Sequence, residues 1–224
     1  DREKPSWSAW RFEQYVGRCR EYVEAIIASP EVCVVVFDIF DTLLTRPLLD
    51  PESIKILVAK RAAGSTGEGY LAFRAEAEEQ ARQKAGRDVG LDEIFKELAV
   101  ISSLAPEEVT RLRCLEEEIE FDAVSPRSDA VSLLFFAVGS GKRVVLASDM
   151  YLPKGVVESM LVKHHISGWH ALYLSSDRGA RKDCGVLYAQ ILAQEGIAVD
   201  QVLVVGDNEH SDWQIPLVMG AKVC

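Results

Sequence analysis

The chain has 224 residues, 48% of them hydrophobic, and a formal net charge of −10. That length and apolar content suit one sizeable core with an accessory domain and exclude a disordered chain. The acidic balance argues against nucleic acid as a partner, because a phosphate backbone selects a basic face. Acidic runs such as Glu76-Ala77-Glu78-Glu79 and Glu116-Glu117-Glu118 read as solvated helix faces. Five scattered cysteines (Cys19, Cys33, Cys114, Cys184, Cys224) form no C-x-x-C pair. They read as reduced thiols of a cytoplasmic protein, with Cys33 in the core of the first strand. No 18-residue apolar run or signal peptide is visible, so no membrane span is expected. A chain that opens on Asp1 and closes on Cys224 reads as an excised domain.

In chain order, aromatic and aliphatic residues at helical spacing (Phe12, Tyr15, Val16, Cys19, Tyr22, Val23, Ile26) predict a helix from Ser8, its N-cap, to Ala28. The run Val34-Val35-Val36-Phe37 reads as a strand buried on both faces, and it ends in Asp38. After Thr45-Arg46-Pro47 come four helical patterns, Pro51 to Ala63, Tyr70 to Ala85, Leu91 to Ile101 and Pro106 to Phe121. Gly64 to Gly67 and Gly86 to Gly90 read as loops between them. A regular α/β alternation then follows. Its helices are Arg127 to Val138, Pro153 to His165, Asp183 to Gln194 and Ser211 to Met219, and its strands 143–147, 171–174, 202–205 and 221–224. This pattern predicts an α/β fold with a doubly wound parallel sheet. Residues 1–30 are expected as a helical extension, 31–46 and 124–224 as the core, and 47–123 as an all-helical insertion.

Parallel sheets place their chemistry beyond the carboxyl ends of the strands. Four predicted strands deliver, in order, the carboxylate of Asp38, the hydroxyl of Ser148, the amine of Lys182 and the carboxylates of Asp207 and Asp212. Each alone has a plain reading: an acidic turn, a helix-capping hydroxyl, a surface lysine, a helix N-cap. Their succession is what carries weight.

That succession resembles the haloacid dehalogenase (HAD) superfamily, whose phosphatases carry DxDx[TV], a later Ser or Thr, a Lys and a terminal GDxxxxD. The resemblance runs from about Val32 to the end of the chain. FDIFDTLLTRP resembles a bacterial subgroup found beside or fused to glycosyltransferases of surface-polysaccharide synthesis. The family's helical insertion between the first two motifs is a C1-type cap that selects substrate. The resemblance implies Asp38 as nucleophile, Thr42 and Ser148 as phosphoryl-holding hydroxyls and Lys182 as the orienting cation. It also implies Mg²⁺ held by Asp38, the Phe40 carbonyl and Asp207, with Asp212 or Asn208 completing the site. The implied reaction is phosphatase or phosphotransferase chemistry on a phosphorylated metabolite, a sugar phosphate or glycan intermediate, with a glycosyltransferase as fused or neighbouring partner.

One departure matters. The second Asp of the first motif, the usual acid/base, is Phe40 here, and Asp41 follows at the place of the usual Gly. Asp41 and His210 are therefore candidates for the missing proton donor. Arg74 and Glu78, four apart on one helix, are candidates for substrate contact, with a helix-surface ion pair as the plainer reading. Asp149 carries no assigned role. Three alternatives stay open. One is a metal-independent 2-haloacid dehalogenase, which also lacks the second Asp. Another is phosphonate hydrolysis, needing a cap lysine such as Lys55, Lys60, Lys84 or Lys96. The third is a catalytically weak domain that scaffolds a glycosyltransferase.

Overall fold

A computed structural model describes residues 19–224 except Leu49 and Ala63. The expected Ser8 cap and the positions Phe12, Tyr15 and Val16 lie outside the described residues. Helix α1 is described over Cys19–Ala28 and is followed by β1, Val34–Phe37. Two residues, Leu44–Thr45, make β2. Four helices follow, α2 (Ser53–Ala62), α3 (Gly64–Ala85), α4 (Leu91–Ser102) and α5 (Pro106–Ala123). Strand β3, Ser125–Pro126, then pairs antiparallel with β2. The helical insertion thus leaves and re-enters the α/β part at one point.

The remainder alternates: α6 (Ser128–Gly139), β4 (Arg143–Ser148), α7 (Lys154–Lys163), β5 (Ala171–Leu174), α8 (Ser175–Arg178), α9 (Val186–Glu195) and β6 (Val202–Val205). A wide π-helical turn over Glu209–Gln214, helix α10 (Ile215–Met219) and β7 (Lys222–Val223) end the chain. The main sheet is parallel throughout, in the order β5-β4-β1-β6-β7. Parallel neighbours need crossovers, which the helices supply.

Strand residues alternate between two cores, as the two-residue period demands. Val35, Phe37, Val144, Leu146, Leu203 and Val205 pack on one side with Ile27 of α1, Leu134 of α6 and Met160 of α7. Val34, Val36, Val145, Ala147, Val202 and Val204 pack on the other with Leu187 and Ile191 of α9. Burial on both faces is why these strands read as unbroken apolar runs.

Several local expectations change. Gly64 to Gly67 is the first turn of α3, not a loop. A Cβ on Gly67 would run into the Ala59 carbonyl, so this glycine marks a close helix crossing. Cys33 is exposed and precedes β1, between the buried Val32 and Val34; its N–H donates to the Gln201 carbonyl at 2.9 Å. Helix α9 starts at Val186, since Gly185 holds φ +78° and cannot continue a helix turn from Asp183. No helix among the described residues is long and apolar enough to cross a membrane.

Candidate functional site

Strand β1 lies in the middle of the sheet, so Asp38, the next residue, stands at the centre of the carboxyl edge. Its N–H donates to the Val205 carbonyl at 2.9 Å and extends the ladder by one residue. The side chain is buried. Lys182 Nζ donates to Asp38 Oδ1 at 2.5 Å and to Asp212 Oδ1 at 2.6 Å. Neighbouring Arg181 turns away to Asp183, 2.8 Å from Oδ2. Lys182 is therefore the cation in contact with Asp38.

The loop after Asp38 is shaped by Asp41, which holds φ +62°, a left-handed conformation that favours glycine and that Asp tolerates better than most residues. The turn delivers Thr42, whose hydroxyl donates to Asp207 Oδ1 at 3.0 Å and accepts the Asp207 N–H at 3.1 Å. One hydroxyl thus fixes both the carboxylate and the backbone at the end of β6.

Asn208 organises the last part. Its side-chain oxygen accepts the N–H groups of His210 and Ser211, each at 3.0 Å, and opens the turn Glu209–Gln214. That turn brings Asp212 back over Gly206. A Cβ on Gly206 would lie 2.5 Å from Asp212 Cβ and Cγ, so the approach requires glycine. Asp212 accepts three bonds: Oδ1 takes Lys182 and, at 3.1 Å, the Tyr188 hydroxyl, while Oδ2 takes the Asn208 N–H at 3.3 Å.

Asp38, Asp207 and Asp212 each offer an oxygen within 4.8 Å of the others. Three carboxylates face one ammonium, which leaves two negative charges in excess. Burial pushes the Asp38 carboxyl up to about 7; Lys182 pulls it down and Asp212 adds to the rise. Burial works against the charge of Lys182, but Asp38 and Asp212 outweigh it and hold the ammonium above its usual value. Clustered oxygen donors with uncompensated charge fit a hard divalent cation.

The other expected residues are more widely spread. Ser148 is buried at the end of β4, the strand beside β1. Phe40 is buried at the site with the Arg46 guanidinium over its ring, 4.4 Å from the centroid. Arg46 in turn pairs with Glu120 of α5 at 2.9 Å, and Glu120 accepts the Tyr151 hydroxyl at 2.7 Å. Asp41 accepts Arg127 on its carbonyl at 2.6 Å. His210 is exposed, with its ring against Gln214 and the Asp183 carbonyl.

Arg74 is no surface residue. It is 0% exposed among the insertion helices, forked onto Glu116 at 2.8 and 3.0 Å and bonded to Glu78 at 2.7 Å. Glu116 is equally buried while Glu118 is exposed, so the acidic run is a solvated face only in part; a helix packed on several sides buries residues that a charge run alone assigns to water. Burial pushes the Glu78 carboxyl up, yet Arg74 and Lys55 outweigh it and hold it below its usual range.

Three contacts had almost no sequence signal. Tyr188 reaches Asp212 from the first turn of α9, Arg46 covers Phe40, and Asp149 accepts the Lys182 N–H at 2.9 Å. Asp149 directly follows Ser148 in a strand-end cluster, which was the one available hint.

No family model and no curated protein matches the sequence. Solved structures do match the fold. The L-2-haloacid dehalogenase of Xanthobacter autotrophicus with chloropropionic acid covalently bound is similar over 86% of this chain and 76% of its own, at 19% identity and a TM-score of 0.57. The 2-haloacid dehalogenase of Pseudomonas syringae pv. Tomato covers 86% and 85%, at 14% identity and TM-score 0.60. The HAD-hydrolase YfnB of Bacillus subtilis bound to magnesium covers 86% and 87%, at 12% identity and TM-score 0.57. The chain therefore has the parallel α/β fold of haloacid dehalogenase-type hydrolases, with a helical insertion after its first strand.

Proposed function

We propose that the chain is a Mg²⁺-dependent phosphohydrolase of a phosphorylated metabolite and that Asp38 is its nucleophile. The observation that carries this reading is the charge imbalance at the carboxyl edge, where Asp38, Asp207 and Asp212 converge and Lys182 pairs with Asp38 and Asp212. A site for a neutral carbon electrophile gains nothing from two further carboxylates, which repel the ionised nucleophile. A divalent cation held by Asp38 and Asp207, with Asp212 alongside, removes that repulsion and neutralises phosphoryl oxygens when bound.

In this reading an Asp38 oxygen attacks phosphorus, the bond to the leaving alkoxide breaks, and an aspartyl-phosphate forms. Lys182 holds the attacking carboxylate by its 2.5 Å contact. The Ser148 hydroxyl supplies a phosphoryl donor, while Thr42, whose single hydroxyl proton goes to Asp207, holds that carboxylate in place. Water then cleaves the acyl phosphate and restores Asp38. No carboxyl stands at position 40 to protonate the leaving group, so leaving groups that are stable as anions, anomeric or aryl, are the favoured substrates. The insertion, as a cap, would select among them, and the sequence resemblance points to sugar or glycan phosphates, a cytoplasmic location and a glycosyltransferase partner.

A second reading has specific support. Phe40, the direct Lys182–Asp38 contact and the dehalogenase neighbours all suit metal-free displacement of halide by Asp38. The deciding experiment measures phosphate release from a panel of sugar and aryl phosphates with Mg²⁺ and with EDTA, beside chloride release from 2-chloropropionate. Phosphate release that EDTA abolishes supports the first reading. Chloride release indifferent to EDTA, without phosphate release, replaces it with the second.

A further inference from the structure

Asp149 follows Ser148 at the end of β4, and the chemistry above leaves it unused. Its carboxylate accepts the backbone N–H of Lys182 on both oxygens, at 2.9 and 3.2 Å. The peptide group that carries the site's ammonium is thus gripped from behind by a neighbouring strand end. A neutral carbonyl would satisfy that N–H; a carboxylate binds it more strongly and also attracts cations.

One such cation is there. Arg181 Nε lies 3.9 Å from Asp149 Oδ2, and Arg181 Nη1 lies 4.0 Å from Asp88 Oδ1. Asp88 is a buried residue of the turn between α3 and α4, where it also pairs with Arg82 at 3.0 Å. The same turn is seated on the α/β part by a second bond, from the Leu91 N–H to the Tyr151 carbonyl at 2.8 Å. Asp149 and Arg181 therefore join three things: the Lys182 backbone, the strand end that carries Ser148, and the turn of the helical insertion.

We propose that Asp149 is a positioning residue. It fixes Lys182 against Asp38, and through Arg181 it makes that placement depend on how the 86–91 turn is seated. A lysine side chain has many rotamers, so its ammonium is placed well only if its backbone is. Misplacement by about 1 Å can cost about 10²-fold in rate.

The catalytic part of the test rests on the phosphohydrolase reading, and the exchange part does not. Amide hydrogen exchange at Lys182 is followed by NMR in the wild type, Asp149→Ala, Asp149→Asn and Asp88→Ala, together with p-nitrophenyl phosphate turnover in Mg²⁺. Asp149→Ala is expected to speed Lys182 exchange by about tenfold or more. It should lower kcat by about 10²-fold with KM changed less than about threefold. Asp149→Asn keeps an acceptor for the N–H and should restore most of both losses. Asp88→Ala, remote from Asp38, should also speed Lys182 exchange and lower kcat, by less. Unchanged exchange and kcat in Asp149→Ala, or an Asn variant as impaired as the Ala variant, overturns the positioning role. Unchanged Lys182 exchange in Asp88→Ala overturns the link to the insertion. A wild type inert toward phosphate rejects the phosphohydrolase reading, while the exchange measurements still decide this one.

Discussion

Two clusters of charged side chains among the described residues are built differently. Among the insertion helices, Arg74 and Lys55 meet Glu116 and Glu78; Arg74 forks onto Glu116, the Tyr70 hydroxyl donates to Glu116, and Lys55 is 3.4 Å from Glu78. Arg82 adds a further partner to Glu78 and Glu52 a further one to Lys55, so each buried carboxylate here has at least one cation. At the carboxyl edge of the sheet, Lys182 serves Asp38 and Asp212 together, and Asp207 accepts the Thr42 hydroxyl beside those two carboxylates. A balanced, hydrogen-bonded cluster is complete as it stands and can only add specificity to the packing. The unbalanced one is the cluster on which the proposed cation site rests.

The largest expected effect separates the two clusters by activity. Asp38→Asn should abolish turnover, by at least about 10³-fold. It should not lower the melting temperature, because it removes a buried charge from an overloaded site. Loss of folding instead would show that the Asp38 charge is structural. The next effect runs the other way. Arg74→Met leaves Glu116 buried and unpaired and should cost about 3–5 kcal/mol in urea unfolding, with kcat of the folded fraction unchanged. A loss of kcat without a loss of stability would move Arg74 into the substrate site. A third, smaller effect tests the close approach at the edge: Gly206→Ala forces Asp212 aside and should destabilise by about 1–3 kcal/mol, while weakening Mg²⁺ binding. An unperturbed variant would mean that Asp212 has room to shift. The smallest effect concerns Phe40. Wild-type turnover of p-nitrophenyl phosphate should exceed that of alkyl phosphates, and Phe40→Asp should narrow the gap by less than the usual 10²–10⁴-fold of an acid/base. The new carboxylate would face Arg46, which lies over this position, and would be held ionised. Equal wild-type rates on both substrates would reveal a substitute acid.

The edge cluster was the more legible of the two in sequence, for a physical reason. Strands β1, β4, β5 and β6 are buried on both faces, so each is an apolar run that ends sharply, and the residue after it stands at the sheet edge. Asp38 is found by that rule alone, and Ser148, the last residue of β4, and Asp207, two past the end of β6, lie within a residue or two of it. Lys182 and Asp212 lie in loops whose course depends on turns at Gly185 and Asn208, so their convergence on Asp38 takes three-dimensional form to see. The insertion cluster was misread as solvated surface because Glu116 and Arg74 differ from exposed helix residues only in what packs over them. Strands β2 and β3 are two residues long, with a proline in one, and leave no periodic trace. The contact between Asp149 and the Lys182 backbone is invisible for another reason: any residue can supply the N–H.

Calorimetric titration of Mg²⁺ into the wild-type protein and into Asp38→Asn and Asp207→Asn, at pH 8 and pH 6, tests the central claim most directly. A proton on Asp38, whose carboxyl stands at about 7, competes with the cation. The wild type should therefore bind one Mg²⁺ at pH 8 and lose affinity as pH falls below about 7, by up to about tenfold per unit. Both variants should bind far more weakly at either pH. A folded wild type that takes up no Mg²⁺ at millimolar concentration at pH 8 would contradict the account.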